Sequence, residues 1–67
     1  MASIGIDTFF AYAGTNTLKG GKGNDIFHTY PGSINTIDGG ANTDTLYRHA
    51  GGGIDTWMNV ETVSIVP

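Results

Sequence analysis

The chain is expected to be all-β: a right-handed parallel β-roll (β-solenoid) of about three coils, closed by a C-terminal capping strand. Three observations point there. An acid or amide, set shortly after a glycine or its substitute and two residues before an apolar one, recurs at positions 7, 16, 25, 35, 44 and 55, in steps of 9, 9, 10, 9 and 11. A longer period is laid over this one. The blocks Phe9 to Gly14, Phe27 to Gly32 and Leu46 to Gly51 align, so the true unit is about two nonapeptides repeated three times. Helical periodicity is absent, and the eleven glycines punctuate short apolar-polar alternations, the pattern of tight turns and strands.

Each element follows from that frame. Gly5-Ile6-Asp7-Thr8-Phe9 opens the first coil, and Gly14-Thr15-Asn16-Thr17-Leu18 is its second half. The second coil starts at Gly20-Gly21-Lys22-Gly23-Asn24-Asp25-Ile26-Phe27-His28 and returns through Gly32 and Asn35-Thr36-Ile37. The third runs from Gly39-Gly40-Ala41-Asn42-Thr43-Asp44-Thr45-Leu46-Tyr47 to Gly53-Ile54-Asp55-Thr56-Trp57. Stacked coils cover one another's cores. Phe9, Leu18, Phe27, Ile37, Leu46 and Trp57 are expected to form the inner columns. Thr8, Thr17, Thr36, Thr45 and Thr56 take the outward slot beside them, with Ile26 interrupting, while Tyr12, Tyr30 and His49 share one column. Asn59 to Pro67 leaves the frame as a polar-apolar strand ended by proline. The expected organisation is thus a roll over residues 1–58 and a capping strand over 59–67.

Composition says what such a roll needs. A 67-residue chain makes at most one small domain and buries only about 60% of the surface its unfolded form exposes. With no cysteine for a disulfide, a bound metal or oligomerisation is the remaining staple. The net charge of −3, with Lys19, Lys22 and Arg48 the only Lys or Arg residues, argues against nucleic-acid or anionic-membrane partners and favours a cation. No run of about 18 apolar residues exists, so no membrane span is expected. Residues Met1 to Asp7 lack the basic region and apolar core of a cleaved secretory signal.

The windows Gly20 to His28 and Gly39 to Tyr47 carry a specific likeness. The first matches G-G-x-G-x-D-x-U-x, with U a large apolar residue, at every specified position; the second departs only at Asn42, where a third glycine is expected. On these residues the chain resembles the RTX (hemolysin-type) calcium-binding nonapeptide repeat β-roll. The likeness extends more weakly to Trp57. It implies Ca2+ held by the turns, and export by a type I secretion system, hence a secreted, extracellular setting. The metal residues it implies are Asp7, then Gly20, Gly21, Lys22 and Gly23 with Asp25, then Gly39, Gly40, Ala41 and Asn42 with Asp44.

Geometry gives the same edge a physical reason to bind a cation. With two nonapeptides per coil, alternate turns stack, so Asp7, Asp25 and Asp44 form one ladder and Asn16, Asn35 and Asp55 the other. Parallel strands lie about 4.8 Å apart, and calcium takes oxygen at about 2.3–2.6 Å, so one ion fits between two stacked turns. Empty, two carboxylates about 5 Å apart repel by roughly 3 kcal/mol at an effective dielectric near 20. Two ions are expected on the aspartate edge, on either side of the Gly20 to Asp25 turn. The opposite edge, with Asn16 and Asn35 uncharged, is expected to hydrogen-bond along the axis without metal. Ala2-Ser3 in place of a glycine pair weakens the first turn, and Asn42 the third.

No enzyme is expected. Ser33, His28 and His49 form no recognisable nucleophile arrangement, and the histidines' different frame positions make them exposed strand and turn residues rather than a metal pair. Gly20-Gly21-Lys22-Gly23 is not a phosphate loop, because Asn16 stands where its first glycine would and Gly23 where Ser or Thr would bind the metal. The leading expectation is a structural module that folds on binding Ca2+. Two other readings stay open: a surface that holds ice or glycan through the threonines or aromatics, and a homo-oligomer stacked through the open ends of the solenoid.

Overall fold

The computed structural model describes residues 5–67. Seven strands alternate between two parallel sheets. β1 (Thr8–Ala11), β3 (Ile26–Thr29), β5 (Thr45–His49) and β7 (Thr62–Val66) form one, in that order. β2 (Gly14–Lys19), β4 (Ser33–Asp38) and β6 (Ile54–Met58) form the other. The chain is therefore a parallel β-solenoid of about three coils, with no helix among the described residues. Ala2-Ser3 lies outside the described residues.

Register follows the repeat. Phe9, Phe27, Leu46 and Val63 are Cα partners across the first sheet, and Leu18, Ile37 and Trp57 across the second. Phe27, Ile37 and Leu46 are fully buried, and Phe9, Leu18 and Val60 pack against them. Phe9 and Phe27 stack with ring centroids 4.9 Å apart. Burying each of the three central side chains stabilises the roll by about 1.5–3 kcal/mol.

Trp57 departs from expectation. It stands in the inner column by register but is 39% exposed, because β6 is an edge strand of its sheet and has no neighbour on its outer side. The Arg48 guanidinium lies 5.3 Å from its ring centroid instead, a cation–π contact. The threonines also divide. Thr17, Thr36 and Thr56 share a column on the three-stranded sheet, while Thr8 and Thr45 align with Ile26 and Thr62 on the four-stranded one. They make two short rows on separate sheets.

The two edges of the solenoid turn differently. At one edge, Pro31 and Gly32 (φ 95°) make a tight turn closed by the Ser33 amide on the Tyr30 carbonyl at 3.3 Å, with proline and glycine where a type II turn wants them. One coil on, Ala50 (φ 53°) and Gly51 (φ 85°) turn the chain, and the Gly52 amide closes on the His49 carbonyl at 2.8 Å. At the other edge, Gly5, Gly23, Asn42 and Asn59 stand two residues before Asp7, Asp25, Asp44 and Glu61, and all four have positive φ. Asparagine tolerates that conformation better than most residues, which is how Asn42 takes a glycine's place.

Candidate metal centre

Strand register brings Asp7, Asp25 and Asp44 to the same edge, each just before a strand of the four-stranded sheet. The Asp7 amide donates to Asp25 Oδ1 at 3.0 Å, and the Asp25 amide to Asp44 Oδ1 at 2.8 Å. The Asp44 amide donates to Glu61 Oε1 at 2.7 Å. The Asp25, Asp44 and Glu61 carboxylates are thus each held by one oxygen to the coil before. The second oxygen is another matter: Oδ2 of Asp7, Asp25 and Asp44 is buried without a hydrogen-bond partner. A buried carboxylate oxygen left unpaired costs free energy unless a cation or proton meets it.

Turn backbone supplies further oxygens. A Cβ added at Gly20 would collide with Asp25 Oδ2 and lie 2.7 Å from the Gly39 carbonyl; one added at Gly39 would collide with the Asn59 carbonyl and lie 2.7 Å from Asp44 Oδ2. In each gap, therefore, a carboxylate and a carbonyl from the next turn converge on a space that only glycine leaves open. Gly40 packs its α-carbon onto the Gly21 carbonyl, which also accepts the Ala41 amide at 3.1 Å. Among the described residues no three acidic or histidine side chains meet at one point, so a cation here must draw on these carbonyls. An oxygen-only donor set of carboxylates and carbonyls suits a hard cation such as calcium.

Of the sequence-predicted residues, Asp7, Asp25, Asp44, Gly20, Gly39, Gly21 and Gly40 enter this arrangement. Gly23 and Asn42 shape it, because Gly23 lies against the Gly5 carbonyl and its amide donates to Asn42 Oδ1 at 2.9 Å. Lys22 contributes its carbonyl, which accepts the Gly5 amide at 3.3 Å, and its side chain is exposed. Ala41 contributes only its amide. Glu61, Asn59 and Val60 lie in the expected capping segment and are not among the expected site residues. Glu61-Thr62-Val63 repeats the acid-threonine-apolar triplet, and Asn59 repeats Asn42, but the step of 17 from Asp44 hid both.

Two predictions arise here. Gly39→Ala drives a methyl into the Asn59 carbonyl and the Asp44 carboxylate, and overpacking of this kind costs about 1–3 kcal/mol. Melting in saturating calcium is expected to fall by roughly 5–20 °C, read by circular dichroism. The second concerns pH. Burial, reinforced by the charges of Asp44 and Asp7, raises the Asp25 carboxyl above its usual 3.8, against the lowering effect of the Asp7 amide. The proton-bound form therefore favours the metal-free fold, fully below 3.8, and this contribution is lost as pH rises through the folded value. A cation needs the carboxylate, so calcium binding is expected to weaken at a higher pH than an ordinary aspartate would set, with proton release seen by calorimetry in several buffers. Asp25→Asn is expected to remove that release.

The opposite edge is satisfied without an added cation. Asn16 Nδ2 donates to Asn35 Oδ1 at 3.0 Å, and Asn35 Nδ2 to Asp55 Oδ1 at 2.7 Å and Ser33 Oγ at 2.9 Å. Asp55 Oδ2 accepts from Thr29 Oγ1 at 2.9 Å and from Arg48 Nε at 3.0 Å. The Asp55 side chain is fully buried. Arg48 is its resident counter-charge. The histidines also differ from expectation, since His28 Nδ1 and His49 Nε2 lie 2.8 Å apart, at hydrogen-bonding distance, on half-buried residues of neighbouring strands. Diagonal neighbours in a sheet meet without sharing a frame position.

Comparison with known proteins agrees with the edge chemistry. A family model described as the RTX calcium-binding nonapeptide repeat (4 copies) matches residues 1–33 and 32–56. No curated protein and no solved structure matches the chain.

Proposed function

Because the chain belongs to the RTX calcium-binding nonapeptide repeat family, we propose that it is a calcium-binding β-roll module whose folding is completed by Ca2+ along the Asp7, Asp25 and Asp44 edge. One observation carries this reading: three stacked carboxylates each keep one buried oxygen without a partner. The Asp25 oxygen faces the Gly39 carbonyl across Gly20, and the Asp44 oxygen faces the Asn59 carbonyl across Gly39. Those pairs, with Asp7 ahead of them, support three positions along the edge rather than two. Residues 59–67 close the last position in this reading and cap the roll of residues 1–58. The opposite edge takes no ion, since Arg48 and the amides already satisfy it.

Metal supplies what the core lacks. Among the described residues only Phe27, Ile37 and Leu46 form the fully buried apolar cluster, and the edge charges oppose stacking until a cation neutralises them. The module is structural, with no catalytic role: Ser33 Oγ is engaged by the Tyr30 carbonyl at 2.6 Å, and the histidines bond each other. Family membership supports export of the parent protein by a type I system into calcium-rich surroundings, where affinities of about 10⁻⁴–10⁻³ M suffice. A far-ultraviolet circular dichroism titration tests the reading. Calcium, and not magnesium, is expected to convert coil to strand signal. A chain already folded in chelator would sink the folding claim.

A further inference from the structure

The outer side of the four-stranded sheet carries aromatic rings stacked along the solenoid axis. Phe10, His28 and Tyr47 form one column, with centroid separations of 4.7 and 5.2 Å. Tyr12, Tyr30 and His49 form the other, at 4.5 and 4.4 Å. The rings use their faces on one another, so the strip offers sugars edges rather than platforms. It does bring two of the chain's three tyrosines together. Tyr12 and Tyr30 are 4.5 Å apart with ring planes 18° from parallel, and Tyr12 is 62% exposed. Burial and the neighbouring Tyr12 phenol raise the Tyr30 hydroxyl above its usual 10.0, so the Tyr30 phenol keeps its proton at neutral pH.

We propose that Tyr12 and Tyr30 are an oxidative cross-linking site, at which a haem peroxidase with hydrogen peroxide joins the first two coils by a dityrosine bond. Each phenol loses one electron and one proton, giving two phenoxyl radicals held face to face. A carbon–carbon bond forms between the ring positions ortho to the hydroxyls. The hydrogen on each of those carbons then leaves as a proton while a phenol oxygen takes one up, which restores both aromatic rings. Peroxide accepts the two electrons and two protons and becomes two waters. The exposed Tyr12 edge is open to the oxidant, and stacking sets its partner in place before the radicals form. Tyr47 lies in the other column, stacked on His28, and is not joined. The product is a covalent staple between coils in a chain without cysteine, acting on the unfolded state as a disulfide does.

The test uses the full chain in saturating calcium, after circular dichroism has shown the strand signal, so that failure to fold is separated from failure to couple. A haem peroxidase and limiting hydrogen peroxide are added, and products are read by dityrosine fluorescence, size exclusion and peptide mass mapping. The expected product is monomeric, lighter by two hydrogen atoms, with the Tyr12 and Tyr30 peptides linked. Tyr12→Phe and Tyr30→Phe should lose it, and Tyr47→Phe should keep it. Linkage through Tyr47, or coupling mainly between chains, in protein with the strand signal would overturn the proposal.

Discussion

Asp25→Asn is expected to abolish calcium-driven folding. Asp25 is 1% exposed, its Oδ1 holds the Asp7 amide, and its own amide is held by Asp44. The amide side chain can keep that Oδ1 contact, so the hydrogen-bonded ladder survives. What changes is Oδ2, the buried oxygen without a partner, which becomes an uncharged donor pointing at the Gly39 carbonyl. One ligand charge is removed from the middle of the edge, and ligand charge is what tunes calcium sites across decades of affinity. A loss of about two orders of magnitude in calcium affinity is expected, roughly 2.8 kcal/mol at about 1.4 kcal/mol per decade. Calorimetry reads the affinity and circular dichroism the folding midpoint. The same substitution relieves repulsion with Asp7 and Asp44, so the metal-free chain should gain strand signal in chelator even as its calcium response fades. A variant with unchanged calcium midpoint would place the ion elsewhere.

Arg48→Ala is expected to unfold the chain even in saturating calcium. Asp55 is the terminus of the amide ladder, and Arg48 Nε at 3.0 Å is the charge that balances it. Removing one partner of a buried pair costs about 3–5 kcal/mol, because the other charge is left uncompensated. A domain of this length has a total stability of roughly 3–10 kcal/mol at typical per-residue values, so the loss is comparable to the whole. Arg48 also covers Trp57 and donates to the Gly53 carbonyl at 3.3 Å. Adding Asp55→Asn should recover much of the fold, since an amide there continues the Asn16 and Asn35 ladder without charge. Denaturant melts of the single and double variants measure this. If Arg48→Ala alone melts like the parent, the second edge is not held by that pair.

The coil count, the strand pairing and the aspartate ladder were legible in the sequence because a period of nine, doubled, repeats chemistry at fixed offsets. Phe9, Phe27 and Leu46 fall into one column for that reason. Trp57 obeyed the same pattern and still came out exposed, since burial depends on the next coil and the pattern does not say where coils stop. Glu61 was hidden because the turn before it is shorter, which moves the acid out of step while leaving it in the same stack. The histidine pair was missed because contacts along a sheet diagonal join unlike frame positions.

What the sequence by itself determined is the periodic part: turn, strand, turn, strand, with glycine or asparagine where φ must be positive and an acid or amide at each corner. Those are local consequences of residue type, and they survive without knowing what lies beside them. Which carboxylates are left needing a cation was decided only by the tertiary structure. Asp25 and Asp55 occupy equivalent corners of the pattern, yet Asp25 keeps an oxygen without a partner while Asp55 is met by Arg48, Thr29 and Asn35. Arg48 comes from the opposing sheet, and an ion pair across a core is a property of packing rather than of spacing along the chain.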